Sequence, residues 1–412
     1  MEGVVDINGM PQYPMKTVHP ENSYKGTESA KGIRTLNPFD DIRPYNDAEV
    51  GPAIKALLAD QEFMSMISRF WLPKLTRLLP GFARSIIKYR LSKKVRHINS
   101  VRQVQTLLER YLADIIRRTT TELTVSGVGD LNPEKAYLFI SNHRDIVMDA
   151  AMVNYALFHN GFETAEIAIG DNLLQRPFVA ALLRLNKCFI VNRSVRGIRE
   201  KLRAYKDLSS YINHRLKGGR SIWIAQREGR AKDGLDKTDP AIIKMLFMSQ
   251  KKNGVSFSDH IRSLNVVPVT IAYEYNPCDE RLSKELHEWR KNGRYAKASD
   301  EDFRSIIAGM NGYKGRVHIH FGRVLGEALS SPEAVAEAID RQMTENYYLH
   351  PSNVIAALKR DPSIQIQQPV SEEKEREFMG RLENCHEELR EIILEIYANP
   401  ALRKLGAQKS CS

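Results

Sequence analysis

A histidine and two aspartates lie together in residues 139–152 (FISNHRDIVMDAAM), where an apolar strand pattern gives way to a helical one. His143 follows the strand, and Asp145 and Asp149 come at the start of the helical pattern. A carboxylate bonded to one ring nitrogen orients an imidazole, and the other nitrogen can then take a proton from a hydroxyl group. Six residues turn an ideal helix by about 240°, so His143 and Asp149 can meet only if His143 lies in the turn before the helix. Asp145 is the other candidate partner, or else the N-cap of that helix.

Charged residues and a glycine follow a second strand pattern, SIWIAQ at 221–226. The turn after it contains Arg227, Glu228, Gly229 and Arg230. Cations and glycines at a strand end can bind phosphate through their charge and through backbone N–H groups. Arg193 follows the preceding strand pattern, and parallel strands present their carboxyl ends at one crevice. These residues therefore predict an anion pocket near His143, although a solvated basic turn would use the same residue types.

The frame that would hold these side chains is an alternation of strand and helix patterns between about residues 122 and 275. Strands are predicted at 123–128, 136–141, 165–170, 188–192, 221–226, 265–274 and, after a variable excursion, 315–322. Apolar runs separated by helical patterns are typical of parallel strands that are covered on both faces. We therefore predict an α/β fold in which a mostly parallel central sheet is flanked by helices, with N-terminal amphipathic helices and a C-terminal helical extension.

Four regions are predicted along the chain. They are a flexible N-terminal arm at 1–46, a basic amphipathic helical region at 47–119, the α/β domain at 120–325 and a C-terminal helical region at 326–412. The arm lacks apolar periodicity and is rich in Pro, Gly, Asn and Asp, which disfavours a packed core. The C-terminal region contains a highly charged helical stretch, which we expect to be exposed or to face a partner.

The net charge of +11 comes almost wholly from residues 63–108, which contain no Asp or Glu. Their ten basic residues are Arg69, Lys74, Arg77, Arg84, Lys88, Arg90, Lys93, Lys94, Arg96 and Arg102. Such a stretch binds polyanions, chiefly nucleic acid or an anionic membrane surface. Bulky apolar residues interleave with the cations in FWLPKLTRLLPGF (70–82), which favours helices lying in a membrane interface over a nucleic-acid arm. A packed amphipathic helix with a solvated basic face is the alternative.

Other sequence features bear on location and metal binding. No run reaches the roughly 18 apolar residues that cross a bilayer, and the N-terminus lacks a secretory pattern. The four cysteines show no pairing or metal-ligand spacing, which fits a reducing compartment. We expect a cytoplasmic protein that is peripherally associated with the inner face of a membrane and binds no nucleic acid. His318 and His320 share one face of a strand but lack a third ligand, so no metal is expected.

Four blocks in this order and spacing resemble the glycerolipid acyltransferase superfamily, over roughly residues 123–275. The blocks are Asn142-His143 with Asp149, Phe189 to Arg193, Glu228-Gly229-Arg230, and Val267-Pro268-Val269. The family's first block has its Asp five residues after the His, but that position is Met148 here. Either one residue is inserted in the turn or Asp145 is the partner; the hydrophobic helix after Asp149 favours Asp149. The third block departs too, because Arg227 replaces the family's proline and the family's threonine is absent.

The resemblance implies transfer of a fatty acyl group from acyl-CoA or acyl-carrier protein to a hydroxyl of a glycerol-phosphate acceptor. It implies that His143 is the general base, that Asp149 orients its ring, and that N–H groups near Gly229 meet the oxyanion. It places the acceptor phosphate at Arg193, Arg227, Glu228, Gly229 and Arg230. The expected acceptor is 1-acyl-sn-glycerol-3-phosphate, in phospholipid synthesis, with no cofactor besides the acyl thioester. The alternatives are a glycerol-3-phosphate or other lysolipid acyltransferase, and a non-catalytic lipid- or phosphate-binding protein on the same fold.

Overall fold

The computed structural model describes residues 5–6, 37–174, 176–298, 300–326, 328–366 and 368–411. Most of the arm predicted at 1–46 therefore lies outside the described residues. The strands are β1 (Val5–Asp6), β2 (Glu122–Ser126), β3 (Leu138–Ser141), β4 (Glu166–Gly170), β5 (Cys188–Val191), β6 (Ile222–Ala225), β7 (Val266–Tyr273) and β8 (Arg316–Phe321). They form one sheet in the order β1-β2-β8-β7-β3-β6-β4-β5.

The predicted α/β fold with a mostly parallel sheet is confirmed. Strands β3 to β7 run parallel to one another, β2 and β8 run parallel to each other, and β8 lies antiparallel to β7. All seven strands predicted from the sequence are present. The carboxyl ends of β3, β4, β5 and β6 consequently open on the same edge of the sheet, where the predicted site residues follow their strands.

Sixteen α-helices surround the sheet in the described part of the chain. Five lie between β1 and β2: α1 (Asp47–Ala59), α2 (Gln61–Trp71), α3 (Pro73–Leu78), α4 (Pro80–Val95) and α5 (Val101–Thr119). Seven lie between β3 and β8: α6 (Met148–His159), α7 (Pro177–Leu185), α8 (Ile198–Lys217), α9 (Pro240–Phe247), α10 (Phe257–Ser263), α11 (Asp279–Asn292) and α12 (Glu301–Asn311). Four follow it: α13 (Pro332–Glu345), α14 (Pro351–Arg360), α15 (Glu372–Glu383) and α16 (Glu387–Cys411).

Helices cover both faces of the sheet, as the uninterrupted apolar strands predict. All eight residues of β7 are buried. Alternate residues of β3 belong to different cores, because successive side chains of a strand point to opposite faces. Leu138 and Ile140 pack with Ile212 of α8, whereas Phe139 packs with Met152 of α6. Burial on both faces fixes the strand positions and so the places where the site residues begin.

The N-terminal helices reach the edge of the sheet where the carboxyl ends of the strands lie. The backbone N–H of Tyr45, just before α1, donates to the carbonyl of Arg184 at the end of α7. Past the end of α1, Glu62 pairs with Arg176 at the start of α7. α1 thus runs antiparallel to α7, and α2 begins at the level where α7 leaves β4. Pro73 and Pro80 then open α3 and α4, because the fixed φ of proline suits a first helical position.

The expectation that the charged C-terminal stretch is exposed or partner-facing is wrong for one face of it. Ile393, Tyr397 and Ala401 of α16 are buried with Phe378 of α15 in a core of their own. Their spacing of four places these residues on one stripe of the helix, and the charges lie on the remaining surface. No helix in the described ranges is long and apolar enough to cross a membrane.

Candidate active site

His143 and Asp149 meet at the carboxyl end of β3. The Nδ1 atom of His143 lies 2.9 Å from Oδ2 of Asp149. The ring belongs to the turn between β3 and α6, so the extra residue is absorbed before the helix begins. Asp149 is fully buried and the His143 side chain is 15% exposed. Nε2 of His143 has no hydrogen-bond partner among the described residues, so one nitrogen is held and the other is available.

Four donors hold the Asp149 carboxylate. Besides His143, Oδ2 accepts the backbone N–H groups of Arg144 at 2.6 Å and Asp145 at 2.9 Å. The hydroxyl of Tyr273 donates to Oδ1 at 2.7 Å. Burial, with the adjacent carboxylate, raises the pKa of Tyr273 well above its usual value, so this hydroxyl keeps its proton. A carboxylate held by four donors and in contact with Nδ1 is placed to balance a positive charge that forms on the ring.

Asp145 caps the following helix rather than contacting the ring. Its Oδ1 accepts the backbone N–H groups of Val147 at 3.0 Å and Met148 at 2.8 Å. Its Oδ2 is buried without a hydrogen-bond partner and lies against Gly309 of α12, where a Cβ atom would overlap it. Burial and the neighbouring Asp149 raise the pKa of this carboxyl. Of the two candidate partners from the sequence, the structure places Asp149 against His143.

The neighbours of His143 fasten the turn to the rest of the fold. The side-chain amide of Asn142 bonds both backbone groups of Ile271, accepting from its N–H at 2.8 Å and donating to its carbonyl at 3.0 Å. Arg144 is buried, pairs with Asp236 at 2.6 Å and donates to the carbonyl of Gly234 at 3.1 Å. The block residue Asn142 thus secures the strand end, while Arg144 ties the turn to the loop after β6.

The loop after β6 lies beside His143 and presents free backbone donors. The N–H of Ala231 donates to the carbonyl of His143 at 3.0 Å. The N–H groups of Glu228, Gly229 and Arg230 make no hydrogen bond within the described ranges. Gly229 has a φ of +75° and a Cβ there would meet open space. A left-handed residue in a turn gathers successive N–H groups into an anion-binding concavity, so this loop can receive an oxyanion or a phosphate oxygen.

The predicted anion-binding side chains fall into two groups. Nη1 of Arg193 lies 3.5 Å from Oε1 of Glu228, and both side chains reach solvent. Arg227 is half-buried in the same loop. Arg230 instead points inward: it is 9% exposed, donates weakly to Oγ of Ser305 at 3.4 Å, and leaves Nη1 without a partner. The structure brings Arg193 and Glu228 together and separates Arg230 from them by burial.

Two elements that the sequence did not assign to the site also support it. α12 lies in the excursion between β7 and β8 and packs Ser305 against Arg230 and Gly309 against Asp145. α16 supports the loop after β6, because Nδ2 of Asn399 donates to the carbonyl of Asp233 at 2.6 Å. A Cβ at Gly234 would overlap the carbonyl of Ile396.

The histidines considered as metal ligands are engaged by hydroxyl groups. His318 Nδ1 lies 2.7 Å from Oγ1 of Thr124, and its Nε2 lies 2.9 Å from Oγ of Ser126. His320 Nδ1 lies 2.8 Å from the same Ser126 oxygen. Burial, with His320, His350 and Lys404 nearby, lowers the pKa of His318 to about 3. The described residues contain no group of three or more side chains that could hold a metal ion.

Comparison with known proteins bears on the same part of the chain. Residues 122–272 match the model of the acyltransferase family. These residues run from β2 to β7 and contain every predicted site residue. Among solved structures, the chain is similar to the 1-acyl-sn-glycerophosphate (LPA) acyltransferase PlsC of Thermotoga maritima. That match has 15% sequence identity and a TM-score of 0.34, and covers 69% of this chain and 97% of that chain.

Proposed function

We propose that this chain, whose residues 122–272 match the acyltransferase family, acylates 1-acyl-sn-glycerol-3-phosphate from an acyl-CoA or acyl-carrier-protein thioester. The observation that carries this proposal is the 2.9 Å contact between His143 Nδ1 and the buried Asp149 carboxylate. This contact uses Nδ1 and leaves Nε2, on the other side of the ring, available to a substrate. A hydroxyl group placed there can lose its proton to Nε2 as it attacks the thioester carbonyl.

The proton and the charges of the reaction can be followed through these residues. Nε2 of His143 takes the hydroxyl proton while the oxygen bonds to the thioester carbon, and the ring becomes an imidazolium beside Asp149. The carbonyl oxygen becomes an oxyanion, which the free N–H groups of Gly229 and Arg230 would receive. Collapse of this intermediate breaks the carbon–sulfur bond, and His143 returns its proton to the thiolate that leaves. No covalent enzyme intermediate is required.

The acceptor phosphate would bind at the outer part of the same loop. Arg193 and Arg227 supply charge, and the N–H group of Glu228 supplies a further donor. Arg193 is paired with Glu228 at 3.5 Å, a loose contact that a phosphate dianion would displace. We propose that Arg230 contributes its positive charge to phosphate binding from the buried side of the loop. Its guanidinium is buried, and Nη1 has no hydrogen-bond partner.

Membrane association is part of the proposal, because acceptor and product are bilayer lipids. The surface on α2 to α4 exposes Phe70, Trp71, Leu78, Leu79 and Phe82 beside the basic residues of 63–108. α2 begins at the edge of the sheet where the carboxyl ends of the strands lie. The ion pair between Glu62 of α2 and Arg176, just before α7, holds it there. Leu78 alone is 77% exposed, and a group of large exposed apolar side chains on one surface marks a membrane- or protein-contact site. We propose that this surface holds the protein on the inner face of an anionic membrane.

The test measures transfer of a radiolabelled acyl group to lysophosphatidate by the purified full-length protein, with glycerol-3-phosphate and lysophosphatidylcholine as competing acceptors. Acyl-CoA and acyl-carrier protein are supplied in parallel as donors. Activity with lysophosphatidate that His143→Ala abolishes, and that His214→Ala leaves intact, supports the proposal. Binding of lysophosphatidate without turnover would instead identify a lipid-binding protein. Turnover of another acceptor alone would correct the substrate.

A further inference from the structure

The first half of α8 carries an apolar stripe that is exposed to solvent beyond the folded core. Ile198, Leu202 and Tyr205 are 80%, 52% and 38% exposed. Their spacing continues one helical face, and the same face holds Ser209, Ile212 and Leu216, which are buried in the second half. The apolar face therefore runs from the core into solvent without a change of direction.

Cations flank the exposed part of this stripe. Residues 193–206 contain six basic residues and one acid. Among the described residues, Arg196, Arg199, Lys201 and Lys206 make no ion pair, while Arg203 lies 3.9 Å from Asp207. On a helical wheel Lys201 falls on one side of the stripe and Lys206 on the other. Long basic side chains placed in this way can extend to phosphate groups while their apolar stems stay beside the buried face.

The stripe lies at the mouth of the proposed crevice. α8 begins five residues after Arg193, past the carboxyl end of β5. The carboxyl ends of β3 and β6, which precede His143 and Arg227, lie on the same edge of the sheet. The surface on α2 to α4 starts at this edge too, since Glu62 pairs with Arg176 there. Two basic and apolar surfaces thus lie at the end of the sheet where the crevice opens.

We propose that the stripe on α8 (Ile198, Leu202 and Tyr205, with Arg196, Arg199, Lys201 and Lys206) is a second membrane-contact surface, which places the crevice mouth on an anionic lipid layer. The inference extends the lipid-linked function proposed above. Charge complementarity favours lipid over a segment of the chain itself, because residues 1–36 contain four acids and four basic residues and are neutral overall. A bilayer also covers two surfaces at one end of the molecule at once, whereas an acidic carrier protein would cover one.

Vesicle co-sedimentation of the full-length protein tests the surface, with phosphatidylcholine vesicles that contain or lack phosphatidylglycerol. The double variant Ile198→Ser/Leu202→Ser should bind both kinds of vesicle about tenfold more weakly, because apolar area is lost. Arg196→Gln/Arg199→Gln should weaken binding to anionic vesicles alone, by about fivefold for each arginine. Trp289→Ser is the matched control, because Trp289 is 58% exposed on α11, and it should change neither.

The variant Leu202→Cys tests whether another part of the chain covers the stripe on α8. Its thiol should react quickly with a maleimide in buffer and slowly on anionic vesicles, with the unsubstituted protein as background for the native cysteines. A slow reaction in buffer would overturn the proposal, since the chain itself would cover the stripe. Unchanged vesicle binding in the serine double variant would also overturn it, as would an effect confined to the KM for an acyl-carrier-protein donor.

The proposed function is tested separately with a short-chain, water-soluble acceptor in vesicle-free buffer. The α8 variants should turn this acceptor over at the unsubstituted rate. Loss of vesicle binding with normal soluble turnover supports the surface and the enzyme together. A protein that binds vesicles through α8 but turns over no acceptor would retain the surface and refute the acyltransferase substrate.

Discussion

Replacement of each aspartate near His143 by asparagine separates the two carboxylates by role. Asp149→Asn keeps the shape of the side chain and removes its charge. The oxygen of the amide can still accept from the ring and the two backbone N–H groups at the Oδ2 position, where Arg144 N and Asp145 N lie 2.6 and 2.9 Å away. The amide NH₂ then faces the hydroxyl of Tyr273, which can rotate to accept from it. The fold is therefore expected to tolerate the change.

The loss in Asp149→Asn is electrostatic and falls on the transition state. The imidazolium formed on His143 no longer has a carboxylate at Nδ1, so the benefit of general-base catalysis is largely lost. That benefit is typically about 10²–10⁴ in rate, or about 3–5 kcal/mol. We expect kcat to fall by this factor while the KM for the acceptor changes little, because Asp149 is fully buried behind the His143 ring.

Asp145→Asn should behave differently because this carboxylate does not touch the ring. The amide oxygen can keep the caps to Val147 and Met148, and we expect kcat within about tenfold of the unsubstituted protein, a change of under about 1.4 kcal/mol. Steady-state turnover of both variants, with thermal unfolding to confirm their fold, decides the matter. An equal or larger loss of kcat in folded Asp145→Asn would refute the assignment of Asp149 as the partner.

Three further predictions follow from buried polar contacts. Tyr273→Phe removes one of four donors to Asp149 and should lower the free energy of unfolding by about 1.5–3 kcal/mol in urea titrations; no change would contradict this bond. Arg144→Leu leaves Asp236 buried without its ion pair and should lower the free energy of unfolding by about 3–5 kcal/mol. Adding Asp236→Leu should recover much of that loss. A double variant no more stable than Arg144→Leu would show that the loss is steric. Burial lowers the pKa of His318 to about 3 from 6.5, so its contribution to stability is full above pH 6.5 and is lost as the pH falls toward 3. His318→Gln should therefore reduce the slope of the unfolding free energy against pH, between pH 3 and pH 6.5, by about 1.4 kcal/mol per pH unit. An unchanged slope would show that His318 is not buried in its neutral form.

Local patterns in the sequence were sufficient for the strands and for the place of the dyad. Apolar runs such as residues 138–141 and 266–273 are buried on both faces, and this burial is the property that the sequence pattern reports. The separation of His143 from Asp149 excludes a shared helical face, so the sequence allows them to meet only if His143 lies in the turn before the helix. The structure has this arrangement, with the inserted residue in the turn.

The contacts that complete the site join distant parts of the chain and leave no local pattern. Tyr273 donates to Asp149 across 124 positions, and a tyrosine in a buried strand reads as core. Gly309 meets Asp145 only because α12 returns over the sheet edge. In the sequence Arg230 resembles a surface cation. It is buried in the structure because α12 packs Ser305 against it. The hydroxyl of Tyr273, a polar group in a fully buried strand, was the signal that a hydrogen-bond partner was required.

The contact between α16 and the loop after β6 has a consequence for the order of synthesis. Asn399 and the carbonyl of Ile396 lie against Asp233 and Gly234, and Gly234 in turn receives Arg144 from the turn that holds His143. These residues are made more than a hundred positions after the loop that they support. A nascent chain would therefore carry its histidine and aspartate long before their surroundings are complete. We expect acylation competence to be acquired late, when α16 leaves the ribosome and packs, so that incomplete chains reaching the membrane surface are inactive.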